Sequence, residues 1–343
     1  MNNSKVTILG AGITGMAIAS QMPKGCDITI VARNLPGDPD SLEWASPWAG
    51  AVWMSKLPSD EWEQKMQLEA FYGWWKLAYT YPESSVRRID MWDIVDTVPQ
   101  DQIWYMNKLP NFRVLTKEEL PEGAPFGMAY TSIVVTPSIF LPWMRKRLEA
   151  SGVKFQRMNI SSLADLEGLG HDVLINASGV GARHLKDCAD VKMLPVRGQT
   201  VLVKTNLDKI WIRRGLKDYT YALPRLDGTA ILGGIKQHGS TETAVNTDLR
   251  AEIFRRINEQ IPWAFPSADP QDFEVVRDIV GLRPETPIVR IEKESIGGQK
   301  VVHAYGHQGM YILSWGMARE ACRLVQELLD QAPGVGAMQM SKL

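Results

Sequence analysis

Cysteine is scarce: Cys26, Cys188 and Cys322 stand far apart in 343 residues. No C-x-x-C pair occurs and no histidine spacing accompanies them, which excludes a disulfide framework and a structural zinc site. They read as buried, reduced thiols of a reducing compartment. Net charge is also nearly absent, with 38 Lys+Arg against 39 Asp+Glu. A balance of −1 provides no field for nucleic acid or an anionic membrane, so any charge selectivity must be local. Long apolar runs are lacking too, and no membrane-inserted segment is expected. The apolar N-terminus carries only Lys5 as its charge, and glycine spacing accounts for it better than a signal peptide does.

What the sequence does hold is 45% hydrophobic and 22% charged residues, an ordinary globular balance, over a length that predicts two domains. Four β-favouring residues, Val6-Thr7-Ile8-Leu9, run into Gly10-Ala11-Gly12-Ile13-Thr14-Gly15 and then into helix formers. That order predicts strand, tight turn and helix around G-x-G-x-x-G. Gly10 allows the turn, Gly12 lets a diphosphate approach the backbone, and Gly15 lets the helix pack closely. Negative charge would then sit on the helix N-terminus. The plain alternative is a glycine-rich turn that binds nothing.

Asp27-Ile28-Thr29-Ile30-Val31 alternates as a second, parallel strand. An NAD-binding unit usually carries an acid after this strand, where this sequence has Ala32-Arg33-Asn34. That departure favours a flavin dinucleotide. Trp44-Ala45-Ser46-Pro47-Trp48-Ala49-Gly50-Ala51-Val52-Trp53 follows, with small residues suited to a flat ring and indoles suited to the walls around it. Further elements expected are a helix from Pro58 to Tyr81 with its aromatic stripe in the core, a β-rich stretch from Val86 to Ser132, a helix from Pro137 to Gly152, and a buried strand Asp172-Val173-Leu174-Ile175-Asn176 running on to Ser178. The last long helix is expected from Met317 to Gln331.

G-A-G-x-x-G, then A-R-N, then A-S-P-W-A-G-A-x-W together resemble the FAD-binding N-terminus of the D-amino-acid oxidase family, fungal branch. The resemblance implies an α/β and α+β protein: a Rossmann-like FAD-binding domain of residues 1–57, 137–194 and 286–338, and a mixed-sheet substrate and interface domain of residues 58–136 and 195–285. It implies FAD contacts from Gly10, Ala11, Gly12, Ile13, Thr14 and Gly15, and from Arg33 and Asn34 at the adenosine end. Ala45, Ser46, Gly50, Ala51, Val52 and Ser178 continue that set, followed by Gly281, Arg283, Gly309, Met310, Tyr311 and Ile312. Residues 339–343 would be a tail whose Ser341-Lys342-Leu343 is the tripeptide read by the peroxisomal import receptor, predicting the peroxisome matrix. A homo-oligomer is expected.

Asp227-Gly228 is the strongest hairpin signal. If these two residues form the turn, Tyr221 faces Gly234 and lies diagonal to Lys236 on one side of the sheet; an odd-length loop would reverse this. In the resembled family the Tyr221 position hydrogen-bonds the substrate α-carboxylate. Lys236 supplies a cation where D-aspartate oxidases carry arginine, and Arg213 matches a lid arginine of those enzymes. Arg283, in V-G-L-R-P, offers a planar two-pronged donor suited to a carboxylate, and Ser314 joins the pocket by resemblance. The alternatives are a solvated lysine at 236 and a buried ion pair at 283. His303 and His307 lie in a strand-to-loop stretch with no third ligand, so no metal is expected.

With these residues the resemblance implies an FAD oxidase of acidic D-amino acids, D-aspartate and by extension D-glutamate. Hydride would pass to flavin N5 without a side-chain base, and O2 would reoxidise the cofactor to give peroxide. The rival readings are an oxidase of neutral D-amino acids, an NAD-dependent dehydrogenase and a non-catalytic nucleotide-binding module.

Overall fold

In the computed structural model, which describes residues 4–216, 219–307 and 311–331, β1 (Lys5–Leu9) buries four of its five residues and turns at Gly10 into α1 (Ile13–Gln21). Gly309, Met310 and Ser341-Lys342-Leu343 lie outside the described residues. Gly10 has φ 114°, a left-handed conformation that a side chain would strain, and its N–H donates to Val31 O at 2.8 Å. A Cβ on Gly15 would stand 1.9 Å from Gly10 O, so α1 is seated directly on the turn. β2 (Asp27–Ala32) returns parallel to β1 and completes the βαβ unit.

α2 (Glu61–Thr80) starts later than its sequence suggests, because Asp60 caps it by accepting from the Glu63 N–H. The aromatic stripe expected in the core is only partly there: Phe71 is fully buried, but Tyr72 and Tyr79 are exposed, and the buried face turns instead through Trp74, whose Nε1 donates to Ile312 O at 2.7 Å. The β-rich stretch forms β3 (Arg87–Val95), β4 (Arg113–Val114) and β5 (Gly127–Val134). α3 (Pro137–Ala150), β6 (Lys154–Arg157) and β7 (Val173–Asn176) follow. Next come β8 (Leu194–Lys204), β9 (Ile210–Arg214), β10 (Tyr219–Pro224), β11 (Thr229–Gly233) and the short β12 (Gln237–His238).

α4 (Thr247–Gln260) was not anticipated, although its signals are present: Asn246 caps the first turn, and Ile253, Phe254 and Ile257 fall on one buried face. β13 (Val275–Ile296) and β14 (Gln299–His307) lead to α5 (Ser314–Asp330), which begins one turn before the expected Met317.

The strands form one hydrogen-bonded path, β4-β5-β3-β9-β10-β11-β8-β13-β14-β7-β1-β2-β6, with β12 on β8. From β14 to β6 the pairs are parallel, and from β5 to β14 they are antiparallel except for β3 with β9. Parallel strands need covered faces, and α1, α3 and α5 pack together over this half. α4 covers the other half through Ile253, Phe254 and Ile257, which join Trp211, Leu232 and Phe265 in a separate core. β13 spans the junction: it pairs with β8 as far as Glu285 and with β14 beyond.

Replacing Gly15 with Ala should therefore cost about 1–3 kcal/mol of stability through overpacking. The same Gly15→Ala protein should retain less flavin after desalting than the parent, read by absorbance.

Candidate active site

The carboxyl ends of β1, β2 and β7 open into a cavity of about 840 Å³, at the upper end of the range for small-molecule sites. One end is walled by Gly10, Gly12, Thr14, Arg33, Asn34 and Ser46. The first turn of α1 supplies backbone N–H groups there, and Ser46 Oγ accepts from the Ile13 N–H at 3.0 Å. Arg33 pairs with Glu43 at 3.0 Å. Of the other expected cofactor residues, Ala11, Ile13, Ala45, Gly50, Ala51, Val52, Ser178, Gly281, Tyr311 and Ile312 line the wall, whereas Gly15 lies beneath the turn. Gly15 acts through packing rather than contact.

Polar atoms without a partner among the described residues gather along this wall. Trp44 Nε1, Thr200 Oγ1, His307 Nδ1 and the Tyr311 hydroxyl are all buried and unpaired in residues that line it. Buried polar groups left unpaired are costly, so this row matches a ligand rich in donors and acceptors. His307 also meets Thr14 Oγ1 through Nε2 at 3.1 Å, and burial pushes its pKa down to about 4. A neutral imidazole therefore stands beside the N-terminus of α1. A dinucleotide with a diphosphate, hydroxyl groups and a flat heterocycle fits these features.

The far end is built by β9, β10, β13 and the segment after β11. Arg283 lies across Gly198, where a Cβ would come within 2.7 Å of the guanidinium. Its Nη2 donates to the Tyr221 hydroxyl at 3.5 Å and its Nη1 to Ile235 O at 3.3 Å. No carboxylate pairs with Arg283 among the described residues, so the buried ion pair allowed by the sequence is not what holds it. Burial raises the pKa of Tyr221, with Arg283 opposing, and the phenol remains a donor at physiological pH.

The hairpin differs from its two-residue expectation. Arg225 N–H donates to Thr229 O across a loop of Leu226, Asp227 and Gly228, so Tyr221 pairs with Gly233 rather than Gly234. Strict alternation would then turn Lys236 to the opposite face. Gly234 prevents that: β11 ends at Gly233, and Gly234 adopts φ 135° with no room for a Cβ against Tyr219 O. The chain kinks, and Lys236 Nζ comes to lie 4.6 Å from the centre of the Tyr219 ring, in the cavity wall. The rings of Tyr219 and Tyr221 meet at a tilt of 58° with their centres 5.2 Å apart. The Lys236 side chain is exposed overall while protein crowds its ammonium, and this crowding, reinforced by Arg283 and opposed by Glu285, pushes its pKa below the ordinary lysine value.

Arg213 is a correction. It pairs with Thr220 in the β9–β10 ladder, on the face away from Tyr221, and its guanidinium is held by Asp96 at 2.8 Å and Gln260 at 2.8 Å. Its neighbour Arg214 pairs with Tyr219 and reaches the cavity instead. Asp93 engages Arg214 Nε and Nη2 at 2.9 and 2.7 Å, Ser55 O accepts from Nη1 at 2.6 Å, and the hydroxyls of Tyr105 and Tyr130 also donate to Asp93. Only the register of β9 on β10 could have told the two arginines apart. Ser314 is a second correction: it is fully buried at the start of α5 and does not line the cavity.

Residues 5–324 match the family described as FAD dependent oxidoreductase, DAO. The chain belongs to this family. As a DAO-family member it is 30% identical to a D-amino-acid oxidase of Fusarium vanettenii, over 96% of this chain and 98% of that protein. It is also 30% identical to a D-aspartate oxidase of Talaromyces thermophilus, over 94% of this chain and 95% of that one. A glycine oxidase from Geobacillus kaustophilus shares its fold, with a TM-score of 0.74 at 16% identity and coverage of 98% and 97%. The cofactor of this DAO-family chain is FAD, and α1, Ser46 and the row of unpaired polar atoms are the groups that would hold it.

Because Asp93 is fully buried and neutralises Arg214, changing it to Asn should destabilise the protein by about 3–5 kcal/mol. The midpoint of urea unfolding, compared with that of the parent, measures this.

Proposed function

We propose that this chain oxidises acidic D-amino acids, with D-aspartate the foremost substrate, to the 2-oxo acid, ammonia and hydrogen peroxide. The carrying observation is the pair Arg283 and Lys236, two cations in one cavity wall that have no carboxylate partner among the described residues. An amino acid with two carboxylates would satisfy both. The Arg283 guanidinium and the Tyr221 hydroxyl fix the α-carboxylate by directed hydrogen bonds, and the Lys236 ammonium meets the side-chain carboxylate as a point charge.

Among the described residues no carboxylate lines this end of the cavity: Asp93 stands behind Arg214, which it neutralises, and Glu285 acts on Lys236 from outside the lining. Tyr221 is kept protonated by burial and donates rather than abstracts. The chain's contribution is therefore orientation and a fixed positive field around a dicarboxylate, with the aromatic rings of Tyr219 and Tyr221 excluding water. When bound, FAD supplies the two-electron acceptor and the reaction with O2.

Replacing Lys236 with Met should lower kcat/KM for D-aspartate by about ten- to hundredfold, the worth of a charged hydrogen bond, while D-alanine turnover changes little. Steady-state peroxide release on both substrates checks this, and an unchanged ratio would make neutral D-amino acids the natural substrates. Replacing Arg283 with Lys should depress both substrates, since a point charge cannot replace the fork.

The acid preference should also depend on pH. Lys236 loses its charge as pH rises through a pKa lowered from the ordinary 10.5. The ratio of kcat/KM for D-aspartate over D-alanine should therefore fall on the alkaline side, while titration of the amino group common to both substrates cancels. The Lys236→Met protein should show no such fall.

A further inference from the structure

His303 and Asn176 are completely buried behind the cofactor half of the cavity, and the parallel register of β14 on β7 sets them directly opposite each other. Their hydrogen bonds run in one direction. Ser178 N–H and Ser178 Oγ both meet Asn176 Oδ1, at 3.2 and 2.6 Å. Because a backbone N–H can only donate, the oxygen of the Asn176 amide must be the atom facing Ser178. Asn176 Nδ2 then faces His303 Nδ1 at 3.2 Å, and an amide nitrogen can only donate, so His303 Nδ1 must accept. The proton of the neutral imidazole is left on Nε2, 3.0 Å from Glu294 Oε2.

The consequence lies at Ser178, which lines the cavity. Its hydroxyl hydrogen is committed inward to Asn176, so only oxygen lone pairs remain for a ligand. A phosphate carries no donor to match them, whereas a sugar-type hydroxyl does. We propose that Glu294, His303 and Asn176 are positioning residues that make Ser178 a pure acceptor for a hydroxyl of the FAD sugar chain, so that FAD affinity is coupled to the protonation of His303.

Protonated His303 would turn an N–H toward the Asn176 amide nitrogen, and the amide could relieve that clash only by rotating away from Ser178. Several groups set where this occurs. Glu292, Glu294 and Arg290 face His303 from β13, the Tyr305 ring stands 5.7 Å away on β14, Cys188 Sγ accepts from the second hydrogen of Asn176 Nδ2 at 3.7 Å, and Asp190 closes the network through Tyr305 and Arg290. Burial, reinforced by Arg290 and opposed by the two glutamates, lowers the His303 pKa from its ordinary 6.5. The relay is therefore intact at neutral pH and fails on acidification.

The test is FAD release from the holoenzyme equilibrated between pH 8 and pH 5, with free flavin read by fluorescence after ultrafiltration. Loss of one hydrogen bond should raise the wild-type dissociation constant about three- to tenfold across the His303 titration. Ser178→Ala should bind more weakly at pH 8 by a similar factor and lose that pH-dependent step. Asn176→Asp supplies a carboxylate that accepts from Ser178 and from protonated His303 alike, so its step should vanish or reverse. A flat wild-type profile overturns the proposal, and so does a wild-type step retained in Ser178→Ala, whether or not Asn176→Asp folds. Because the readout is flavin release, it is independent of which D-amino acid is oxidised.

Discussion

Strand β13 hydrogen-bonds to β8 from Val275 to Glu285 and to β14 from Glu285 to Ile296, so a single backbone carries the register of both halves of the sheet. Arg283 stands just before the change of partner, between Leu282 and the Pro284 that holds it extended. Its guanidinium thus points at the seam between the parallel cofactor half and the antiparallel substrate half. Gly198 on β8 leaves the space it crosses. A slip of one residue would turn Arg283 to the other face, but burial on both sides of the seam opposes such a slip.

Charge in the cavity is apportioned by pairing. Arg33, Lys56 and Arg214 each have a carboxylate, Glu43, Glu63 and Asp93, and contribute little net field. Arg283 and Lys236 lack one among the described residues, and their positive charge is left for a ligand. The Asp93 cluster with Tyr105 and Tyr130 is a fully buried polar network beside this site. Satisfied networks of this kind fix the position of their members more than they add to stability. Arg214 is accordingly a rigid part of the wall.

The cofactor half works by close approach. Gly10 and Gly15 remove side chains where the turn and α1 must touch, and small residues from Ala45 to Val52 bring backbone to the cavity surface. Behind that surface, hydrogen bonds with a forced direction, from Ser178 to Asn176 to His303 to Glu294, decide which face of each polar group is offered to a ligand. Trp74, reaching from α2 to Ile312 O, ties that helix to the same cavity.

Much of this was legible in the residue order. The G-x-G-x-x-G turn, the parallel second strand and Arg283 before Pro284 are local patterns, and local sterics and periodicity are written in neighbouring residues. Tertiary structure decided what depends on the count of residues between partners. A three-residue loop rather than a two-residue one shifted the pairing of Tyr221, Gly234 undid the consequence for Lys236, and ladder parity gave the cavity to Arg214 instead of Arg213. Strand faces alternate with every residue, so a single position of register, invisible to composition or motif, reverses which side chain meets the ligand.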